Sequence, residues 1–422
     1  VAIKGLMFAK GMEDAGVLCA MKHFPGHGDT HTDSHEALPF IPHPASRIDS
    51  IELYPFKYGI RNGVSGIMMG HLKVPALDPT ENLATSLSKP VVTGLLKDSL
   101  NFKGLVITDG LGMKSVSSYF APGEAEAKAY LAGNDILLMP KDVHKAISYI
   151  KKEVRHGNIS EEEVNARCRK ILFAKSWLGL SHSPELSADS IFEDLNNPFY
   201  KVEKRKLIRD ALTLVKNEGN VIPFPDLRNA KIASLSIGTG EKDVFSQNLK
   251  SFADVDTYYA DKMMLHYMTD SLNGLFSKYN TLIISIDDTN QWPGRGFGIT
   301  QSTLKFLLNL QFEGDLILSL FGNPYALSRF SDLSKFDAIL VGYEDLPDVK
   351  DLAAQALFGA FEIQGKLPVS VKGTFNVGQG INIADFQRLE LGFPEESGLN
   401  STKLKEIDTI VNEAIKAKAF PG

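Results

Sequence analysis

Val17-Leu18-Cys19-Ala20-Met21-Lys22-His23 runs directly into Phe24-Pro25-Gly26-His27-Gly28-Asp29-Thr30, and the two halves read differently. The first half is a short apolar run closed by two polar residues, the pattern of a buried strand. The second holds a proline and two glycines and reads as a loop. Three more runs repeat the pattern at Gly66–His71, Gly104–Asp109 and Asn134–Met139. Helical periodicity lies between them, for example over Pro90–Ser99 and Val143–Val154. Strands that alternate with helices pair in parallel through right-handed crossovers. Lys22-His23, His71 and Asp109 stand at C-terminal strand ends, and Asp135 at the start of its strand. C-terminal strand ends are where a (β/α)8 barrel keeps its chemistry. The fold expected for residues 1–180 is therefore α/β, the C-terminal half of a (β/α)8 TIM-type barrel, with the N-terminal half of that barrel missing upstream of Val1.

Residues 181–205 are polar and proline-containing, from Ser181-His182-Ser183-Pro184 through Asn196-Asn197-Pro198, and read as a linker. A second β/α series follows. Its strands are expected near Lys231–Ile237, Val255–Tyr259, Thr281–Ile286, Leu316–Phe321 and Ala338–Tyr343, with helices including Ser302–Leu310 and Val349–Phe358. This predicts an α/β/α sandwich with a mostly parallel sheet over 206–390. Residues 396–422 read as the start of a further domain. Leu404, Ile407, Val411, Ala414 and Ile415 mark an amphipathic helix after Asn400 and Ser401, which are suitable caps. At the other end, Ile3, Leu6, Met7, Lys10 and Gly11 read as the tail of an amphipathic helix.

Composition narrows the class. Of 422 residues 43% are hydrophobic and 23% charged, which excludes disordered and fibrous chains. The net charge of −6 comes from 45 basic and 51 acidic side chains without long runs, so nucleic acid is not an expected partner. No apolar run approaches the ~18 residues a membrane span needs. Cys19 and Cys168 cannot make a disulfide framework and read as small buried hydrophobes.

Histidines fall at 23, 27, 31 and 35. On a helix that spacing would align four imidazoles for a metal, but Pro25, Gly26 and Gly28 break any such helix, so no metal and no cofactor is expected. Asp33-Ser34-His35 sets a carboxylate beside an imidazole, which can fix its tautomer and support its cation. By itself the triplet also reads as a solvated turn. Asp109, ahead of Gly110-Leu111-Gly112-Met113, is suited to attack a sugar's anomeric carbon. It reads equally well as the cap of the next helix.

Lys22-His23-Phe24-Pro25-Gly26-His27-Gly28-Asp29-Thr30 with Asp33-Ser34-His35 resembles the signature of glycoside hydrolase family 3, and more narrowly its β-N-acetylglucosaminidase branch. The resemblance continues through Gly70-His71-Leu72-Lys73-Val74-Pro75, Ile107-Thr108-Asp109 with Met113, Ala132-Gly133-Asn134-Asp135, Leu212–Glu218, Phe321-Gly322-Asn323-Pro324-Tyr325 and Gly365-Lys366-Leu367-Pro368-Val369. It covers roughly residues 1–370 in the family's order. It implies a retaining exo-β-N-acetylglucosaminidase acting on peptidoglycan fragments, with an amino-sugar or muropeptide substrate. Asp109 would be the nucleophile, His35 the acid/base and Asp33 its orienting partner. Lys22 and His23 would bind sugar hydroxyls, His71 and Met113 would line the same pocket, and Asp29 and His27 would hold the loop's shape. The sugar-binding Asp and Arg residues that the family carries on earlier strands lie outside this chain. Leu399–Gly422 resembles the first helix of serine β-lactamase-like domains, a fusion that leans toward a periplasmic or extracytoplasmic place. The alternatives are a β-glucosidase, an N-acetylglucosaminide phosphorylase, or a non-catalytic sugar-binding module.

Overall fold

Three apolar runs become parallel neighbours in one sheet: β1 (Ala20–Phe24), β2 (Gly66–Met69) and β3 (Leu105–Thr108), in that order. The computed structural model describes residues 1–30, 32–182, 187–241, 243–384 and 388–420. Its contacts divide the chain into two units, Val1–Leu186 and Ser187–Gly422. In the first, Phe24, Ile67, Met69 and Val106 pack with Val91, Val92 and Leu96 of the π-helical segment Pro90–Ser99. Each such side chain taken out of water contributes about 1.5–3 kcal/mol to holding the strand ends in place.

The fourth run forms less strand than its sequence suggests. Residues 134–138 follow β3 through Asp135 N–H to Val106 O at 2.8 Å and Thr108 N–H to Ile136 O at 3.0 Å, with one parallel bridge between Ile107 and Ile136. Asp135 explains part of the difference. Its carboxylate turns back to take the Val106 N–H at 2.8 Å and pairs with Lys97 at 3.3 Å and Lys170 at 2.6 Å. Helix Val143–Arg155 starts on Asp142, whose side chain accepts from the Lys145 N–H, and Glu161–Trp177 starts on Ser160 in the same way. The first helix, Ala2–Asp14, buries Ala2, Leu6 and Ala9 and leaves Ile3, Met7 and Phe8 exposed.

The second unit holds a six-stranded sheet. Its strands are β4 (Thr213–Asn217), β5 (Ile232–Ile237), β6 (Val255–Ala260), β7 (Thr281–Ile286), β8 (Asp315–Leu320) and β9 (Ala338–Val341). The order is β4-β9-β8-β7-β5-β6, parallel except for the β4–β9 edge. Apolar cores lie on both faces, one with Phe276 and Phe306, the other with Phe245, Leu352 and Phe358. At the strands' C-terminal ends Lys350 Nζ lies 3.2 Å from Asp243, 2.6 Å from Asp287 and 2.7 Å from Asp345. Burial pushes the Asp287 carboxyl up to about 6 in spite of Lys350.

The segment read as a linker contains more structure than expected. Helix Pro198–Ala211 starts on the Asn197 side chain with Pro198 in its first turn, so 198–205 belong to the second unit. Arg205 fixes it there: its side chain is 4% exposed, pairs with Asp351, and reaches Glu396 at 2.8 Å and the Leu391 carbonyl at 3.0 Å. Ser183, Pro184, Pro421 and Gly422, part of the linker and terminal readings, lie outside the described residues. Helix Ser401–Lys416 is capped by Asn400 and buries none of its residues. Among the described residues no helix is long and apolar enough to cross a membrane.

Candidate active site

The C-terminal ends of three adjacent strands converge on Asp109. Parallel register aligns Met69 with Thr108 and Phe24 with Met69, so the residues just beyond, His23–Phe24, Gly70–His71 and Asp109–Gly110, share one sheet edge. Backbone bonds lock them: Gly70 N–H donates to Phe24 O at 2.8 Å and Asp109 N–H to Met69 O at 3.0 Å. The ladder slips between Met21 and Phe24, where Lys22 and His23 sit. Both Lys22–His23 and Phe24–Pro25 are cis peptides.

Asp109 is partly buried, and its two oxygens differ. Oδ1 accepts the Gly110 N–H at 2.8 Å. Oδ2 faces His23 Nε2 at 3.6 Å, beyond hydrogen-bond length. Burial lowers the His23 pKa below its usual value, and Asp109 offsets this only in part, so His23 is neutral near pH 7. The charge of Lys22, His27 and His35 pushes the same way, which puts all three rings and the ammonium in one electrostatic neighbourhood. Lys22 is exposed, and with His23 it lines a cavity of about 730 Å³ that also borders His27, Asp29, Arg47 and Glu52. Met113, half-buried, closes the turn after Asp109 through its N–H to Gly110 O at 3.0 Å.

His71, expected to line the sugar pocket, does something else. It is fully buried, with Nδ1 2.7 Å from Ser86 Oγ and Nε2 3.1 Å from the Gly110 carbonyl. Burial lowers its pKa despite that carbonyl, so the ring is neutral, donates Nε2–H to Gly110 and accepts from Ser86. Both nitrogens are spent, and none is left for a sugar. The reason is packing: the turn after β2 folds the ring under the Asp109–Gly110 turn, where only hydrogen bonds offset its burial.

Asp33 and His35 do meet. Asp33 Oδ1 accepts both the His35 N–H at 2.9 Å and its Nδ1–H at 2.8 Å. Those two bonds, the backbone one first, hold the Asp33 carboxyl below its ordinary value. The pairing fixes the tautomer and leaves Nε2 open. Both side chains are exposed, at 75% for His35 and 56% for Asp33, and the pair does not touch Asp109. His27 bonds Thr30 at 2.8 Å within the loop, and its ring meets the edge of His23. His31, the third of the evenly spaced histidines, lies outside the described residues.

His43, Arg47 and Glu52 carried no signal in sequence. Arg47 and Glu52 are five apart, a spacing that an α-helix does not stack. Here Ile48–Glu52 is a π-helical turn, whose i to i+5 closure brings them together. Asp29, His43 and Glu52 place potential ligand atoms within 4.8 Å of one another, but the Arg47 guanidinium reaches both carboxylates and supplies the cation.

Residues 1–174 match the glycosyl hydrolase family 3 N-terminal domain. The chain is 29% identical over 415 residues to β-hexosaminidase A of Pseudoalteromonas piscicida, covering 87% of this chain and 68% of that one. The first unit is thus similar to the glycoside hydrolase family 3 N-terminal domain. It is 35% identical over 165 residues to the β-hexosaminidase LpqI of Mycobacterium tuberculosis, covering 37% of this chain and 42% of that protein. A solved family 3 β-N-acetylglucosaminidase from a Paenibacillus species superposes with a TM-score of 0.69 at 26% identity, covering 87% of this chain and 70% of that one. The chain thus spans about two thirds of one curated relative and less than half of the other.

Proposed function

We propose that this chain carries the reacting groups of a retaining exo-β-N-acetylglucosaminidase that releases terminal β-linked N-acetylglucosamine. The observation that carries the reading is Asp109 Oδ2 facing His23 at 3.6 Å at a parallel-sheet mouth, with an Asp33–His35 pair on the loop leaving β1. The names of the relatives above supply the substrate class.

The chemistry follows from what each atom has free. Asp109 Oδ1 is occupied by Gly110, so Oδ2 attacks the anomeric carbon as the bond to the aglycone oxygen breaks. His35, held through Nδ1–H by Asp33 and entering the step as the imidazolium, gives its Nε2 proton to that departing oxygen and is left neutral. A water then attacks the same carbon, passes a proton to Nε2 and frees the Asp109 carboxylate. A histidine in this role adds no second negative charge beside the nucleophile. Lys22 and neutral His23 hold sugar hydroxyls, and Met113, in the turn after Asp109, packs against the same sugar. Because His35 stands 75% exposed and clear of Asp109, the loop moves inward to deliver the proton.

The finer substrate reading is a peptidoglycan-derived muropeptide. We also propose that a further strand covers the free edge of β1 in the intact molecule. In support, among the described residues β1 pairs only with β2, and Met7 and Phe8 on the helix before it are exposed. The test is turnover of nitrophenyl N-acetylglucosaminide and nitrophenyl glucoside, with and without phosphate. Hydrolysis of the first, preferred over the second and indifferent to phosphate, is expected. Preference for the glucoside, or dependence on phosphate, would replace this reading with the corresponding family 3 activity.

A further inference from the structure

Both feet of the loop that carries Asp33 and His35 stand on one ionic cluster. Asp29, near the loop's start, has Oδ2 2.7 Å from Nε2 of His43 at the loop's end. Arg47 Nη2 reaches the same oxygen at 3.3 Å and Glu52 Oε1 at 3.1 Å. Glu52 is the floor. Its side chain is only 5% exposed, and its Oε2 is buried with no hydrogen-bond partner, so the charge there depends on Arg47. The loop's first residue sits directly on that floor. Gly26 has φ +134°, and a Cβ there would come within 2.7 Å of Glu52 Cβ. Between the feet Thr32, Asp33, His35, Glu36 and Ala37 are exposed while Ser34 is buried, the Asp33–His35 hydrogen bonds are internal to the tip, and the chain is tied down again where the Ile41 N–H donates to Lys73 O at 2.9 Å. The Asp33 and His35 side chains thus stand exposed between two anchored ends.

We propose that Asp29, His43, Arg47 and Glu52 form a latch that sets where the proton-shuttling loop starts and ends, with Arg47 as the central positioning residue for His35. The inference rests on the reading of His35 as the acid/base and adds what holds it in register. None of the four touches Asp109. The latch therefore acts on proton delivery and not on nucleophilic attack. Displacing a catalytic group by ~1 Å costs up to about 100-fold in rate. That loss falls on substrates whose leaving oxygen must be protonated and spares those whose leaving group departs as an anion.

The experiment compares kcat/KM, which reports bond cleavage, for nitrophenyl N-acetylglucosaminide and for diacetylchitobiose, whose leaving group is poor. The variants are Arg47→Met, Arg47→Lys, His43→Gln and His35→Ala. Arg47→Met is expected to lose roughly 10- to 100-fold on the disaccharide and less than about 3-fold on the nitrophenyl substrate, with KM little changed. Arg47→Lys is expected to recover part of the loss, and His43→Gln, which keeps a donor to Asp29, most of it. Asp29→Asn replaces Arg47→Met if the latter does not fold, and thermal midpoints are measured in parallel. Equal losses on both substrates, or none on either, overturn the latch while a skewed His35→Ala leaves the acid/base reading standing. Equal losses in His35→Ala overturn that reading and the latch with it. Loss of wild-type activity on chelation also overturns the latch, because a metal ion would then be joining the carboxylates.

Discussion

His71 is the sharpest place to perturb the site, because its two hydrogen bonds tie a buried ring to the Asp109–Gly110 turn. In His71→Ala the Ser86 hydroxyl and the Gly110 carbonyl both lose their partner in a buried place. At about 1–3 kcal/mol for each unpaired group the first unit is expected to lose roughly 2–6 kcal/mol. Gly110 also carries the N–H that holds Asp109 Oδ1, so kcat is expected to fall by ~10- to 100-fold for both good and poor leaving groups. His71→Gln can still donate to Gly110 and is expected to keep most of the activity, but it cannot titrate. The pH dependence follows from the direction of the shift. Burial puts the folded pKa of His71 below its unfolded value of ~6.5, so the stabilisation is whole above that pH. It falls as pH drops through 6.5 toward the folded pKa, at up to ~1.4 kcal/mol per pH unit. Urea unfolding between pH 5 and 8 reads this through Trp177, with Trp292→Phe silencing the second unit; the chain has 2 tryptophans. Wild type and His71→Gln with the same slope below pH 6.5 would refute the buried neutral imidazole. Unchanged kcat in His71→Ala would refute its hold on Asp109.

Other expectations are as direct. Arg205→Met leaves Asp351 and Glu396 without their buried partner and should destabilise the second unit by about 3–5 kcal/mol, read by Trp292 in a Trp177→Phe background. The Asp287 carboxyl is raised to about 6, so the second unit should lose stability as pH climbs from ~4 to about 6 and level off above; Asp287→Asn should flatten that slope, and an unchanged slope would assign it elsewhere. His35→Ala should cost far more on diacetylchitobiose than on nitrophenyl N-acetylglucosaminide, and equal losses would remove His35 as the acid.

Much of the architecture was legible because strand and helix periods differ. The apolar runs at Val17–His23, Gly66–His71 and Gly104–Asp109 contain the strands Ala20–Phe24, Gly66–Met69 and Leu105–Thr108, and the parallel pairing of β5 to β9 follows from their alternation with helices. What escaped has physical reasons. β4 ends in Lys216-Asn217 and borders the sheet, so it lacks the continuous apolar pattern of the central strands. Asn197-Pro198 reads as a linker until the asparagine is seen to cap and the proline to occupy a first turn, which is a signal the sequence does contain. For His71, position at a strand end says nothing about which way the ring turns. Whether a polar ring meets ligand or folds under its own backbone is decided by tertiary packing. The Asp29–His43 pair spans fourteen positions with no periodic relation, and Arg47–Glu52 needs a π turn that propensity does not announce.

The central claim is that Asp109 forms the bond to the sugar, and trapping tests it most directly. A 5-fluoro N-acetylglucosaminyl fluoride, whose electron-poor ring slows release of the glycosyl-enzyme, is incubated with the protein, followed by proteolysis and mass spectrometry. The expected result is one sugar adduct, on the peptide containing Ile107-Thr108-Asp109-Gly110 and lost in Asp109→Ala. An adduct on any other carboxylate, in a protein that turns over nitrophenyl N-acetylglucosaminide, would contradict it.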